Sequence, residues 1–154
     1  MDTIITYSGV DGLLSVTRNS LKAKGELLIF ETSFASLNDM FSKDQAEKIR
    51  KQFAKRKIRI RELTNKVYYE PYTVIKEFDK KIMDIRYINP KKLQINVETI
   101  IYNNVVAIYD PKNVSFCVEI YSQELVDQQR QLFEFIWEKA DRPIIGRGGR
   151  TSIF

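Results

Sequence analysis

The 154 residues carry 44% hydrophobic and 29% charged side chains, a balance that excludes a disordered chain and needs no metal or disulfide to fold. There is no histidine, which excludes every Ser-His-Asp, Cys-His or His-metal scheme within one chain but leaves carboxylate, Lys or Tyr chemistry open. The net charge of +5 is uneven: residues 42–57 hold seven Lys/Arg against two Asp/Glu, a basic band suited to nucleic acid, an acidic partner or plain solvation.

Cys117 is the single cysteine and lies in an apolar run, so it reads as a buried small hydrophobe in a chain suited to a reducing cytoplasm. No apolar run approaches the 18 or so residues of a membrane span.

Residues 7–14 contain Gly9 and Gly12 and read as a loop leading into a helix over 13–24, with Gly25 as its stop. Residues 26–31 follow as a buried strand centred on Leu27-Leu28-Ile29-Phe30. Ser42 and Gln45 form a capping box for a helix over 43–55, and residues 58–63 alternate as the next strand. Strand, helix and strand predict a parallel βαβ unit. Pro71 opens a short helix through Phe78, residues 82–88 form a strand, and Asn89-Pro90 closes it.

Residues 93–102 and 105–109 flank Asn103-Asn104, which suit a tight hairpin. A turn at 110–113 leads to a third strand of this meander over 114–121. Ser122 caps a long helix whose stripe of Leu125, Leu132, Phe133, Ile136, Trp137 and Ala140 faces the sheet. Residues 1–141 are expected to form one α/β domain, with 142–154 a flexible basic tail. Its Gly146-Arg147-Gly148-Gly149 has neither the preceding strand nor the following helix of a phosphate loop.

Candidate ligand groups come from the strands. Arg61 and Arg86 head the list, with Asp84, for an anion or polar-ligand pocket near the strand ends; a structural Arg–Asp network is the competing reading. For nucleic acid the candidates are Lys48, Lys51, Lys55 and Arg59, with Tyr68, Tyr69 and Tyr72 as stacking groups. Nothing nominates a metal or a cofactor.

The stretch Leu93-Gln94-Ile95-Asn96-Val97-Glu98, the hairpin, Val118-Glu119-Ile120-Tyr121 and Leu132-Phe133-Glu134-Phe135-Ile136-Trp137 resemble the phospholipase D-like effector domain of TrmB-type transcriptional regulators. So does the passage from Phe53 through Arg61. The resemblance implies an α/β fold: a phospholipase D-like mixed sheet flanked by helices, with a C-terminal antiparallel meander and long helix. The phospholipase D motif is histidine, any residue, lysine, four residues, aspartate, and the matching frame here holds Asn96, Glu98 and Asn103. A carboxamide is no nucleophile and a carboxylate repels phosphate, so loss of catalysis is implied. Asn96 and Glu98 join the ligand candidates on this frame.

The family joins this domain to a winged helix-turn-helix, for which the segment before Tyr7 leaves no room, so the chain is expected to be a piece of a longer regulator, a free-standing relative or the partner of a separate DNA-binding regulator. The expectation is a non-catalytic, ligand-sensing or regulatory homodimer, meeting on the near-neutral side that holds the dense aromatics from Tyr102 to Trp137. The alternative is a nucleic-acid-binding accessory protein using the basic 43–61 region.

Overall fold

The computed structural model describes residues 2–32, 37–69, 71–147 and 150–152. The strands are β1 (Thr3–Tyr7), β2 (Glu26–Glu31), β3 (Arg59–Thr64), β4 (Tyr68–Tyr69), β5 (Met83–Tyr87), β6 (Glu98–Tyr102), β7 (Val105–Asp110), β8 (Asn113–Tyr121), β9 (Ile144–Arg147) and β10 (Arg150–Ser152). The helices are α1 (Gly9–Ser20), α2 (Leu37–Met40), α3 (Lys43–Lys55) and α4 (Gln123–Trp137), with a π-helical turn at Phe78–Ile82. Seven strands form one mixed sheet in the order β1-β8-β7-β6-β2-β3-β5. The run from β2 through β3 to β5 is parallel, as the βαβ reading requires, and every other pairing in that sheet is antiparallel.

Strand alternation sends successive side chains to opposite faces. On one face Leu27, Ile60, Ile100 and Tyr102 pack under α1 and α3 through Leu13, Val16, Ile49 and Phe53. On the other, Leu28, Leu63, Ile101 and Val106 pack under α4 through Val126, Phe133 and Trp137. Phe133 has no exposed surface; it meets Phe30 edge-on and stacks on Trp137. Helices therefore cover both faces.

The predicted caps form: Ser42 and Gln45 make a reciprocal capping box, and Ser122 accepts from the Leu125 amide. Asn103 takes a left-handed φ of 48° in the hairpin, and its side chain clasps the loop after α1 by accepting from Lys24 N–H and donating to Lys22 O, both at 3.0 Å. Gly25 turns at φ 84°, which only glycine adopts without strain.

Five readings change. Residues 3–7 form an edge strand beside β8, and α1 starts at Gly9 rather than residue 13. Gly12 serves packing, not a loop: a Cβ there would stand 2.9 Å from Tyr7 Cβ. β6 begins at Glu98, because Asn65 captures the preceding segment by donating to Leu93 O and accepting from Ile95 N–H. The helix placed at 71–78 is instead a π-helical turn that begins at Phe78 and buries Phe78 and Ile82. The stretch read as a basic tail carries β9 and β10, which pair with β4 in a second small sheet; Gly148 and Gly149 lie outside the described residues.

Beneath α1 the carboxylate of Glu119 is fully buried. Tyr7 donates to it at 2.5 Å, Asn19 at 3.1 and 3.2 Å, and Tyr102 and Tyr121 at 3.4 Å. Four donors from three strands and a helix satisfy one charge, which is the condition for burying it. The hydrogen bond to Glu119 pushes the Tyr7 hydroxyl up to about 12. No helix among the described residues is long and apolar enough to cross a membrane.

Candidate functional site

The sheet face under α1 and α3 opens at the carboxyl ends of β2 and β3 into a cavity of about 250 Å³. Glu31 ends β2, Glu62 lies near the end of β3, and Glu98 starts the antiparallel β6, so three carboxylates arrive at one opening. All three are buried, at 7%, 5% and 3% exposure. α2 closes one side, Arg50 and Phe53 of α3 another, and Tyr72 and Phe78 the outer wall.

The Glu98 carboxyl is held well above the ordinary glutamate range, first by burial and also by the negative charge of Glu62. The Thr32 N–H, donating to Oε2 at 3.0 Å, works against that shift. Tyr109, directly opposite Glu98 in the ladder, is likewise pushed up by burial and then by Glu98 and Glu31. A carboxyl held protonated donates a hydrogen bond through its O–H and accepts through its other oxygen. The cavity thus offers both kinds of partner to a hydroxyl or amine.

Arg50 is the cavity's buried cation, and its Nη1 is already engaged at 3.0 Å by Asn38 Oδ1, Glu47 Oε1 and Tyr72 O. Its guanidinium also lies over the Tyr72 ring. Among the described residues no group of three or more His, Cys, Asp or Glu is arranged to hold a metal ion.

Of the ligand candidates nominated from sequence, only Glu98 lines this cavity, and of the stacking candidates Tyr72 does. Arg61 and Arg86 point to the opposite face. Arg61 pairs with Glu26 at 2.6 Å and with both oxygens of Glu134, and lies over the rings of Phe133 and Trp137. Its hydrogen bond holds Glu134 below the ordinary range. Arg86 sits 4.4 Å over the Trp137 ring and donates to Trp137 O. These arginines bolt α4 to the sheet. Asp84 is the ladder neighbour of Arg61, yet Arg61 turns to glutamates, so the network is Arg–Glu rather than Arg–Asp.

Asn96 is exposed in the loop before β6, and Asn103 stands at the far end of that strand, so the three positions of the frame do not converge. Glu31 was missed because it closes a strand that reads as apolar, and Glu62 because it follows Arg59 and Arg61 in a strand already rich in charge. Their signal was the charged residue on the core-facing register of β2 and β3.

The basic candidates also divide. Lys48, Lys51 and Lys55 are exposed on α3, whereas Arg59 shares the α4 face of β3 with Arg61 and Leu63. Tyr72 is half-buried and donates to Asp79, so it is packed rather than offered for stacking. The side chains of Tyr68 and Tyr69 lie outside the described residues. The aromatic density from Tyr102 to Trp137 is mostly core: Tyr102, Tyr109, Phe133 and Trp137 are buried, and among the described residues only Phe116 and Phe135 are strongly exposed.

A mixed sheet with helices on both faces, an antiparallel meander and a long closing helix defines a phospholipase D-like α/β fold. No known family profile and no curated protein sequence matches the chain. Among solved structures, the chain is similar to Nuc, a phospholipase D family member from Salmonella typhimurium, with TM-score 0.63 and 10% identity over the whole of both chains. It is similar to TrmBL2, an archaeal chromatin protein whose structure shows a novel mode of DNA binding, with TM-score 0.54 and 16% identity. That match covers 90% of this chain but only 54% of TrmBL2. Polyphosphate kinase from Porphyromonas gingivalis matches with TM-score 0.56 and 11% identity over 99% of this chain and 27% of the enzyme. At these identities the likeness is one of fold.

Proposed function

We propose that this chain is a non-catalytic sensing domain that takes a small polar ligand without net negative charge into the cavity at the ends of β2 and β3. The observation that carries this reading is the convergence of Glu31, Glu62 and Glu98 on one buried opening. An anionic ligand, one of the options the sequence left open, is disfavoured there because the acidic lining residues Glu31, Asp39, Glu62 and Glu98 outnumber the cations Arg50 and Lys66. A sugar-like polyol or an amine finds donors, acceptors and apolar walls.

Absence of catalysis follows from the same residues. Asn96 is no phosphorus nucleophile, and it does not share a site with Glu98, whose carboxyl is pushed up by burial. The likeness to part of a chromatin protein supports a regulatory setting, with a DNA-binding regulator as partner. A second copy of the chain is the other proposed partner, and light scattering across concentration decides that point.

The test is calorimetric titration with neutral sugars, polyamines and sugar phosphates. Binding of a neutral or cationic compound that is lost in Glu62→Gln supports the reading. A sugar phosphate that binds in this cavity sinks it, as does turnover of a generic phosphodiester abolished by Glu98→Gln.

A further inference from the structure

A second concavity, of about 420 Å³, runs between α1 and α3 on their outer side, well apart in composition from the acidic cavity. Its floor is Leu14, Leu21 and Ile49. Arg18 and Lys22 stand along one wall, Lys48 and Arg56 along the other, and no carboxylate among the described residues lines it. All four cations are exposed, and none is in an ion pair among the described residues. Arg56 is aimed rather than loose: its Nη1 donates to Leu21 O at 2.8 Å across the groove, which fixes the guanidinium over the floor with further N–H groups to spare. Lys51 and Lys55 continue the positive surface along α3.

We infer that this groove seats the phosphate backbone of a duplex nucleic acid. Uncompensated cations on two facing walls are the electrostatic complement of a polyanion. Extent argues for a polymer over a lone phosphate. Lys48 and Arg56 are eight residues apart, about 12 Å along a helix, against one phosphate for each roughly 3.4 Å of axis per strand. The groove therefore spans several phosphates. No aromatic side chain among the described residues lines it, so the grip is on the backbone rather than on stacked bases, without sequence preference. The site differs from the basic band legible in sequence. Arg18 and Lys22 join Lys48 and Arg56 of that band and Arg59 leaves it, because the fold brings the end of α1 beside α3 and turns Arg59 to the opposite face.

The experiment is fluorescence anisotropy with a labelled 20-base-pair mixed-sequence duplex and its single strand, from 50 to 200 mM KCl. Four neutralised phosphates give a log–log salt slope of about −3.6 on duplex, so affinity should fall on the order of a hundredfold across that range. The double variant Arg18→Gln/Lys48→Gln should bind at least tenfold more weakly at 50 mM, with the slope shallower by about 1.8. The control pair Lys91→Gln/Lys92→Gln, on the turn after β5, should leave both unchanged. Both variants should keep the wild-type unfolding midpoint, since all four positions are exposed. Glu62→Gln should also leave duplex binding intact, which separates this site from the acidic cavity. The inference fails if the duplex does not bind at 50 mM KCl. It fails equally if the Arg18/Lys48 variant binds like the wild type, or if tripolyphosphate occupies the groove while the duplex does not.

Discussion

Replacing Glu98 by Gln tests the electrostatics of the acidic cavity without changing its shape. Gln keeps an oxygen for the Thr32 N–H and removes only the ionisable group. Glu98 is 3% exposed, and burial together with the charge of Glu62 holds its folded-state pKa above the ordinary value of 4.5. Between 4.5 and the folded value, the native state keeps a proton that the unfolded chain has released. Stability therefore falls as pH rises through that window, by at most about 1.4 kcal/mol per pH unit for one proton. The contribution is fully present below 4.5 and lost once pH passes the folded value. Glu98→Gln lacks this proton, so its stability should gain on the wild type as pH rises from 4.5 and stay ahead at neutral pH. Urea unfolding of both proteins at half-unit steps from pH 4 to 8 measures the difference directly. A difference that stays constant across that range would refute the reasoning, because it would mean that Glu98 titrates alike in the folded and unfolded chain.

Phe133→Ala, which empties a fully buried ring site, should cost about 3–5 kcal/mol in urea unfolding, while Phe135→Ala, at 60% exposure, should stay within about 0.5 kcal/mol. A double-mutant cycle on Arg61 and Glu134 should give a coupling of about 0.5–1 kcal/mol, modest because the Glu134 side chain is 49% exposed, and it should shrink in 1 M salt. Asn103→Ala should destabilise by about 1–3 kcal/mol through strain at positive φ and loss of the clasp on residues 22–24, whereas Asn103→Gly should recover the strain but not the clasp. Burial and the charge of Glu119 push the Cys117 thiol up to about 11, so at pH 8 a thiol reagent should label it only as fast as the protein opens.

The fold was readable wherever local pattern and tertiary use agree. Ser42 with Gln45, the alternation from Ile58 to Leu63 and Asn103 in the hairpin say locally what the structure does globally; of the α4 stripe, Phe133 and Trp137 are buried as expected, but Leu132 is 46% exposed and Val126 is buried instead. Misreadings arose where a residue serves a distant partner. Gly12 resembles a loop glycine, but it is small because Tyr7 lies against it. Leu93 and Ile95 resemble strand residues, but Asn65 claims their backbone. The acidic cavity was only partly legible for the same reason. Glu98 stood out on its frame, while Glu31 and Glu62 gain their meaning from being on one face of adjacent strands. Arg61 and Arg86 were visible as unusual strand charges, yet only the placement of α4 shows that they brace a helix.

The knot around Glu119 sets an order on events during synthesis. Tyr7 is fastened to a residue 112 positions later in the chain, and among the described residues β1 has no ladder neighbour other than β8. At about 5–20 residues per second, β1 therefore waits roughly 6–22 s for its partner to be made. During that interval α1, β2 and β3 can dock through contacts between nearby segments, but Tyr7 and Asn19 have no carboxylate to bind. Closure of the sheet edge is thus a late step, and the amides of β1 should be among the last to gain protection in a pulse-labelled refolding experiment.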